Sequence, residues 1–277
     1  MIDEISLSLM PEPEFIIAFL LLGTIVGFSA GLLGIGGGGI MVPVLTTLFL
    51  MQGVEVGQVV HLALGTSMAS IIFTSLSSLR AHHIRGAVIW DVVKRMSPGI
   101  LIGTFIATYL VASLSSLFLA VFFSVFMAFV AVQMFLDKKP VQHHNKVSSK
   151  QLFFVGSGIG AISALVSIGG GSLTVPYLVW RNFDIKKAIG TSAAVGFPIA
   201  LAGTFGYVVN GWSNTSFENY TFGFIYLPAV VLISITSVFC APLGAKLAHH
   251  LPVYALKRVF ALLLIALSIK MLLSVTM

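Results

Sequence analysis

Ile35-Gly36-Gly37-Gly38-Gly39-Ile40-Met41-Val42-Pro43 and Ile168-Gly169-Gly170-Gly171-Ser172-Leu173-Thr174-Val175-Pro176 are one element written twice, 133 residues apart, each inside a long apolar stretch. The register extends backward: Gly23 pairs with Gly156, Gly27 with Gly160, Leu32 with Leu165 and Ile35 with Ile168. Further along, Gly65-Thr66-Ser67 is answered by Gly190-Thr191-Ser192, each opening another apolar segment. Four glycines in a row with a proline four residues on do not sustain a regular helix. The chain therefore reads as a duplicated unit with a broken helix in each half.

Composition places that unit in a membrane. Apolar residues make up 57% of the chain and charged residues 9%, with a mean hydropathy of +1.04. Soluble domains carry about a quarter charged residues, so this chain cannot cover one soluble core with polar surface. Stretches of about 20 apolar residues, the length that crosses a hydrocarbon slab of about 30 Å, are expected at 15–33, 59–79, 96–113, 116–136, 151–167, 188–209, 222–247 and 254–275. Two shorter apolar pieces, 40–51 and 172–180, directly follow the glycine loops. The formal charge of +6 does not point to nucleic acid, because the basic residues sit in short loops beside spans and not on an aromatic-interleaved face.

Loop charge sets the topology. Residues 1–14 carry Asp3, Glu4, Glu12 and Glu14 without Lys or Arg; 52–58 carry Glu55 and 210–221 carry Glu218. The basic residues fall in four other places: Arg80, Arg85, Lys94 and Arg95; Lys138, Lys139, Lys146 and Lys150; Arg181, Lys186 and Lys187; Lys246, Lys257 and Arg258. If each short piece is a crossing, all four clusters lie on the cytoplasmic side, the N-terminus lies outside, and Lys270 is the exception. That gives five segments per half, an odd number, so the second half starts on the side opposite to the first. The expectation is an all-α polytopic membrane protein of two inverted-topology repeats, 1–136 and 151–277, joined by a cytoplasmic linker, 137–150. Inverted repeats with broken helices are the architecture of secondary transporters. The acidic flank before the first span, and the same helix recurring internally at 151–167, argue against a cleaved signal peptide.

Gly34, Gly36 and Gly39 satisfy G-x-G-x-x-G, yet no strand-helix alternation surrounds them and no Gly-Lys-Ser/Thr follows, so neither a dinucleotide site nor a P-loop is indicated. Backbone left unpaired at membrane depth must line a cavity or be buried in protein. After each loop the chain resumes as a short helix whose free N–H groups and positive dipole end favour an anion. Gly36, Gly37, Gly38 and Gly39, with Gly169, Gly170, Gly171 and Ser172, are thus the expected substrate-binding backbone, and Pro43 and Pro176 the expected helix breaks. The alternative is that the glycines only allow close helix crossing. Gly23, Gly27 and Gly31, echoed by Gly156, Gly160 and Ala164, fit that packing role.

Thr66, Ser67, Thr191 and Ser192 offer hydroxyls at matched positions for an oxyanion, or else bond their own helix turn. His61 can titrate near neutral pH and couple protons to transport, or be a satisfied interface residue. The adjacent pairs His82/His83, His143/His144 and His249/His250 read as solvated or headgroup-facing, not as a metal site, and Cys240 stands alone. No Asp or Glu lies deep in a span, so carboxylate proton relays and cation sites are not expected. Nor is there a Ser-His-Asp set, a pair of carboxylates or HExxH to support an enzyme. No cofactor is indicated, and the expected partners are a small anionic substrate and the lipid bilayer.

The doubled GxxxGxxxGllGIGGGxxxVP element, with a later GTS in each half, resembles the TauE/SafE sulfite exporter family, also called the toluene sulfonate uptake permease family, over nearly the whole chain. The resemblance implies a bacterial-type inner-membrane transporter of sulfite, thiosulfate, sulfonates or related small anions. The family's motif positions correspond to Gly36, Gly37, Gly38, Pro43, Thr66 and Ser67, and to Gly169, Gly170, Gly171, Pro176, Thr191 and Ser192. An alternating-access anion carrier is the leading expectation; an anion channel and a non-transporting scaffold or accessory subunit are the alternatives.

Overall fold

The computed structural model describes residues 12–34, 36–136, 148–214, 220–248 and 253–276. It is all-helical apart from one short ribbon. Ten α-helices follow in order: α1 Pro13–Leu33, α2 Gly38–Met51, α3 Val56–Ile84, α4 Trp90–Ser113, α5 Ser116–Leu136, α6 Ser149–Val166, α7 Gly171–Trp180, α8 Ile185–Asn210, α9 Leu227–Ala248 and α10 Val253–Thr276. Seven of them, α1, α3, α4, α5, α6, α8 and α9, are long and apolar enough to cross a membrane. Most of the 137–150 linker, His143/His144, His249/His250 and Glu218 lie outside the described residues.

The helix ends follow local chemistry. Asp184 caps α8, its side chain accepting the N–H groups of Lys186 at 2.9 Å and Lys187 at 3.3 Å, an N-cap arrangement. Helix α4 begins at Trp90, earlier than hydropathy alone suggests, because Asp91 and Arg95 pair at 2.7 Å across one exposed turn. Helix α9 begins at Leu227, later than the expected 222. Thr221–Phe222 and Ile225–Tyr226 instead form an antiparallel ribbon turned by Gly223 at φ 58°. Pro43 and Pro176 do not break helices: each lies inside its short helix, α2 or α7. The interruptions fall earlier, at 34–37 and 167–170, where Gly34, Gly36, Gly37, Ser167 and Gly170 have left-handed backbone. A proline removes one donor and fixes φ at a helical value, whereas a left-handed residue turns the chain out of the helix.

Packing sorts the long helices into two groups of three. In the first, α1, α3 and α9 run in the same direction: Thr74 Oγ1 meets Ser237 Oγ at 2.8 Å, Ser77 Oγ donates to Val238 O at 2.7 Å, and Thr236 Oγ1 donates to Leu20 O at 2.9 Å. In the second, α4, α6 and α8 do the same. Gly156 and Gly160 seat on the backbone at Met96 and Ile100 of α4, and Tyr207 Oη donates to Ala164 O at 2.8 Å. Gly23, Gly27 and Gly31 bring α1 equally close to α9, their absent Cβ atoms leaving room for the backbone at Ile233, Ser237 and Ala241. The small-residue spacing of four is a packing face, as the sequence implied.

The two groups meet along α3 and α8, the most enclosed spans, which run antiparallel. Helix α2 turns back beside α1, so that the Phe49 and Phe19 rings lie tilted 6.5 Å apart and both are near Tyr226. Helices α5 and α10 pair on the flank. One end of the bundle gathers the basic residues: Arg181 Nη2 donates to Gln151 Oε1 at 2.9 Å, joining the end of α7 to the start of α6, and α3 ends there at Arg85. The sides of α4, α5, α6 and α9 expose Tyr109, Phe129, Phe154 and Phe239, an apolar surface suited to lipid.

Candidate functional site

The two glycine loops touch at the centre of the molecule. A Cβ at Gly36 would sit 2.6 Å from Gly169 Cα and 2.7 Å from its nitrogen, and one at Gly38 would strike Ser167 O. Gly196 on α8 likewise leaves room for Gly169 O, 2.8 Å from its absent Cβ. Both short helices start from a left-handed glycine, Gly37 at φ 82° or Gly170 at φ 80°, and neither has a side-chain cap. The positive ends of α2 and α7 therefore open two residues beyond Gly36 and Gly169.

Some carbonyls at the negative ends beside them are engaged. In α1, Gly31 O is bonded to His82 Nε2 at 2.9 Å and Gly34 O accepts Ser192 Oγ at 3.1 Å; in α6, Ala164 O accepts Tyr207 Oη. His82 is 1% exposed, so the reading of His82/His83 as a solvated pair holds for exposed His83 alone. Adjacent helix positions point about 100° apart, which turns one ring inward and leaves the other outside.

Each Gly-Thr-Ser segment holds a link far from it in sequence. Gly65 packs on Phe224 O in the link before α9, where the N–H of Tyr226 donates to Thr66 Oγ1 at 3.0 Å. Gly190 packs on Ala87 O in the link before α4, where the N–H of Ile89 donates to Thr191 Oγ1 at 3.0 Å. Each threonine thus accepts a backbone donor that a buried link would otherwise leave without a partner. Ser192 donates to Ile189 O and Gly34 O. Ser67 Oγ and Ser172 Oγ are buried and have no partner among the described residues.

A small cavity adjoins the loop contact on the basic-end side. Gly34, Gly36 and Gly169 form its roof, and Ser75 and Ser78 of α3 face Ala193 and Gly196 of α8 across it. Its free space, about 10 Å³ for the centre of a water-sized sphere, is near the least that holds one water. Of the expected binding residues, Gly36 and Gly169 line it; Thr66, Thr191 and His61 do not. His61 is buried near the start of α3, its Nε2 3.1 Å from Val111 O, its Nδ1 3.4 Å from Ser116 Oγ and its ring against Phe224. That fastens the α4–α5 turn, about 21 Å along the helix from Ser75. Ser75 and Ser78 escape sequence reasoning because α3 holds seven Ser and Thr between 66 and 78, and only the neighbouring helices decide which are engaged.

Comparison with known proteins agrees with this architecture. The family profile for the sulfite exporter TauE/SafE matches residues 19–271, all but the ends of the chain. The chain belongs to the TauE/SafE sulfite exporter family. A Haemophilus influenzae relative is 39% identical over 262 residues, covering 93% of this chain and 98% of its own. Relatives from Methanocaldococcus jannaschii, 27% identical and covering 85% of this chain and 88% of their own, and Bacillus subtilis, 27% identical with 87% and 92% covered, match over most of both chains. All three are named "Probable membrane transporter protein". No solved structure matches. This TauE/SafE member is a membrane transporter and not an enzyme.

Proposed function

We propose that the protein carries small sulfur-containing or organic anions, such as sulfite, thiosulfate or a sulfonate, across a bacterial-type inner membrane by alternating access. One observation carries this reading: at the meeting of the loops, the dipoles of α2 and α7 present uncapped N-termini, while the carbonyl ends of α1 and α6 are engaged by His82, Ser192 and Tyr207. Helix N-termini without a side-chain cap, beside carbonyls already bonded to side chains, favour an anion over a cation. Among the described residues Glu12, Glu14, Glu55, Asp91 and Asp184 all lie at helix ends, so no carboxylate opposes the anion at depth.

The two halves, 1–136 and 151–277, are read as inverted-topology repeats of five segments, with Gly36–Gly39 and Gly169–Ser172 at matched helix interruptions. Support comes from contacts that survive exchange of the halves: α1 with α9 and α4 with α6, Thr66 with Tyr226 and Thr191 with Ile89, His82 with Gly31 and Tyr207 with Ala164. The basic end faces the cytoplasm and the N-terminus lies outside, by the distribution of Lys and Arg. The cavity is too small for an oxyanion as it stands, so loading requires the loops to part, which suits a carrier better than a continuously open channel. His61 lies far from it along α3, and pH dependence then arises from protonation of the substrate, with His61→Gln retaining it.

Counterflow in proteoliposomes tests the function. Unlabelled substrate inside should accelerate uptake of labelled sulfite or sulfonate. Flux without that acceleration would indicate a channel, and no flux with any of the named anions would remove this reading.

A further inference from the structure

Building on the anion-carrier reading above, we infer that Ser78, with Ser75 beside it, is the side-chain contact for the transported anion, and that the binding site opens toward the basic end. The register that pairs Gly65 with Gly190 and Thr66 with Thr191 also pairs Met68 with Ala193, Ile71 with Gly196, Ser75 with Ala200 and Ser78 with Gly203. On the basic-end side of the Gly36–Gly169 contact this gives Ser75 and Ser78 opposite Ala193 and Gly196, and a cavity. On the other side it gives Ala200 and Gly203 opposite Met68 and Ile71, with Met68 Sδ 2.9 Å from the absent Cβ of Gly203 and Ile71 Cγ2 3.6 Å from that of Gly36. At these four matched pairs the basic-end side carries two hydroxyls, Ser75 and Ser78, and the other side none.

Ser78 is 2% exposed, lines the cavity, and has no hydrogen-bond partner for its hydroxyl among the described residues. Its neighbours on α3 are otherwise engaged: Ser70 donates to Thr66 O, Thr74 meets Ser237, Ser77 donates to Val238 O and Ser75 donates to Ile72 O. A buried hydroxyl without a partner is costly unless a ligand or water completes it. Here it faces the loops whose helix N-termini supply the remaining donors. A small oxyanion takes the Ser78 O–H and loop N–H groups together, and an apolar or cationic solute finds no match.

The test places Ser78→Cys in a Cys240→Ser background, in right-side-out and inside-out vesicles, and measures modification by the anionic thiol reagent methanethiosulfonate ethylsulfonate. Expected are labelling from the face that bears Arg85, slowing of that labelling by sulfite, and no labelling of Ser70→Cys. In proteoliposomes, Ser78→Ala should raise the sulfite KM about ten- to a hundredfold, the effect of one hydrogen bond to a charged group, with yield and thermal stability unchanged. A Ser78→Cys variant inert from both faces would overturn the inference, as would an unchanged KM in Ser78→Ala beside a transporting wild type. A wild type that carries none of sulfite, thiosulfate and toluene sulfonate would instead remove the substrate class proposed above, and labelling would still decide whether Ser78 lies on the path.

Discussion

The loop around Gly34, Gly36 and Gly37 and the loop at 167–170 are nearly the same in sequence but turn differently, Gly36 having φ 73° where its counterpart Gly169 has no positive φ. The first leaves its helix through Gly34 at φ 69°, the second through Ser167 at φ 48°, a left-handed conformation that costs a residue with a side chain about 1–3 kcal/mol. Ser167 gains an anchor in return, its Oγ donating to Leu64 O at 3.1 Å. In the register that pairs Thr66 with Thr191, that carbonyl matches Ile189 O, which Ser192 uses, whereas Ser67 has a buried hydroxyl and no partner among the described residues. Two loops that look alike as strings therefore differ in which side tethers them: the second is pinned by its own side chain, the first by one reaching from α8.

The severest way to break the likeness is at the point of contact. Gly36→Ala places a Cβ against the Gly169 backbone at positive φ, where neither partner can yield, and should abolish both monodisperse yield in detergent and uptake. Gly39→Ala meets only the flexible ends of Leu264 and Met127, at 2.9 and 3.3 Å, and should retain both. Equal tolerance of the two would mean that the loops do not touch as described.

Next in size is the space beside the loops. Ala193→Met gives α8 the residue that α3 carries at Met68 and fills the cavity. Uptake should fall by more than about tenfold at normal yield, because overpacking a site that must admit a solute blocks it before it unfolds the helices. Normal flux would show that the cavity is off the path.

The threonine clamps sharpen the comparison from the other direction, since they are predicted to be equivalent. Thr66→Val strands the N–H of Tyr226 and Thr191→Val that of Ile89. Each should lower stability by about 1–3 kcal/mol, read as a drop in Tm, with little change in apparent substrate affinity. A marked difference between the two variants would show that the halves are not held alike.

The smallest effect is expected from Ser167→Gly, which relieves the strained φ and loses the bond to Leu64 O. These contributions nearly cancel, leaving a net gain of at most about 1 kcal/mol. A large loss in Tm would show that the hydroxyl tether matters more than the backbone strain.

Much of this arrangement was legible in the chain. Hydropathy located seven spans, the doubled glycines fall where α2 and α7 begin, and Gly23, Gly27 and Gly31 announced a packing face whose partner, α9, lies more than two hundred residues on. What could not be read was the fate of individual hydroxyls. Thr66 and Thr191, expected at the binding site, spend their lone pairs on links that hydropathy treats as mere connections, and the start of α9 moved because Gly223 folds 221–226 into a ribbon tucked against Gly65. Ser78 looks no different in sequence from Ser70 or Ser77; only the placement of α9 and the loops leaves it without a partner. His82 and His83 are adjacent letters with opposite environments, a distinction set by a rotation of about 100° and the carbonyl at Gly31.

The pairing of α1 with α9 also sets a schedule for assembly. As the chain is synthesised, α1 enters the membrane early, but the surface built around Gly23, Gly27 and Gly31 has no mate until α9 follows; the bond from Thr236 to Leu20 spans 216 positions. Helix α4 waits in the same way for α6. Helix α1 is thus packed only after much of the chain that follows it, and its glycine face meets lipid or a chaperoning insertase in the interval. A ribosome stalled after residue 136 would hold helices that are inserted but unmated, so 1–136 and 148–277 made as separate polypeptides should reach a folded state only when produced together.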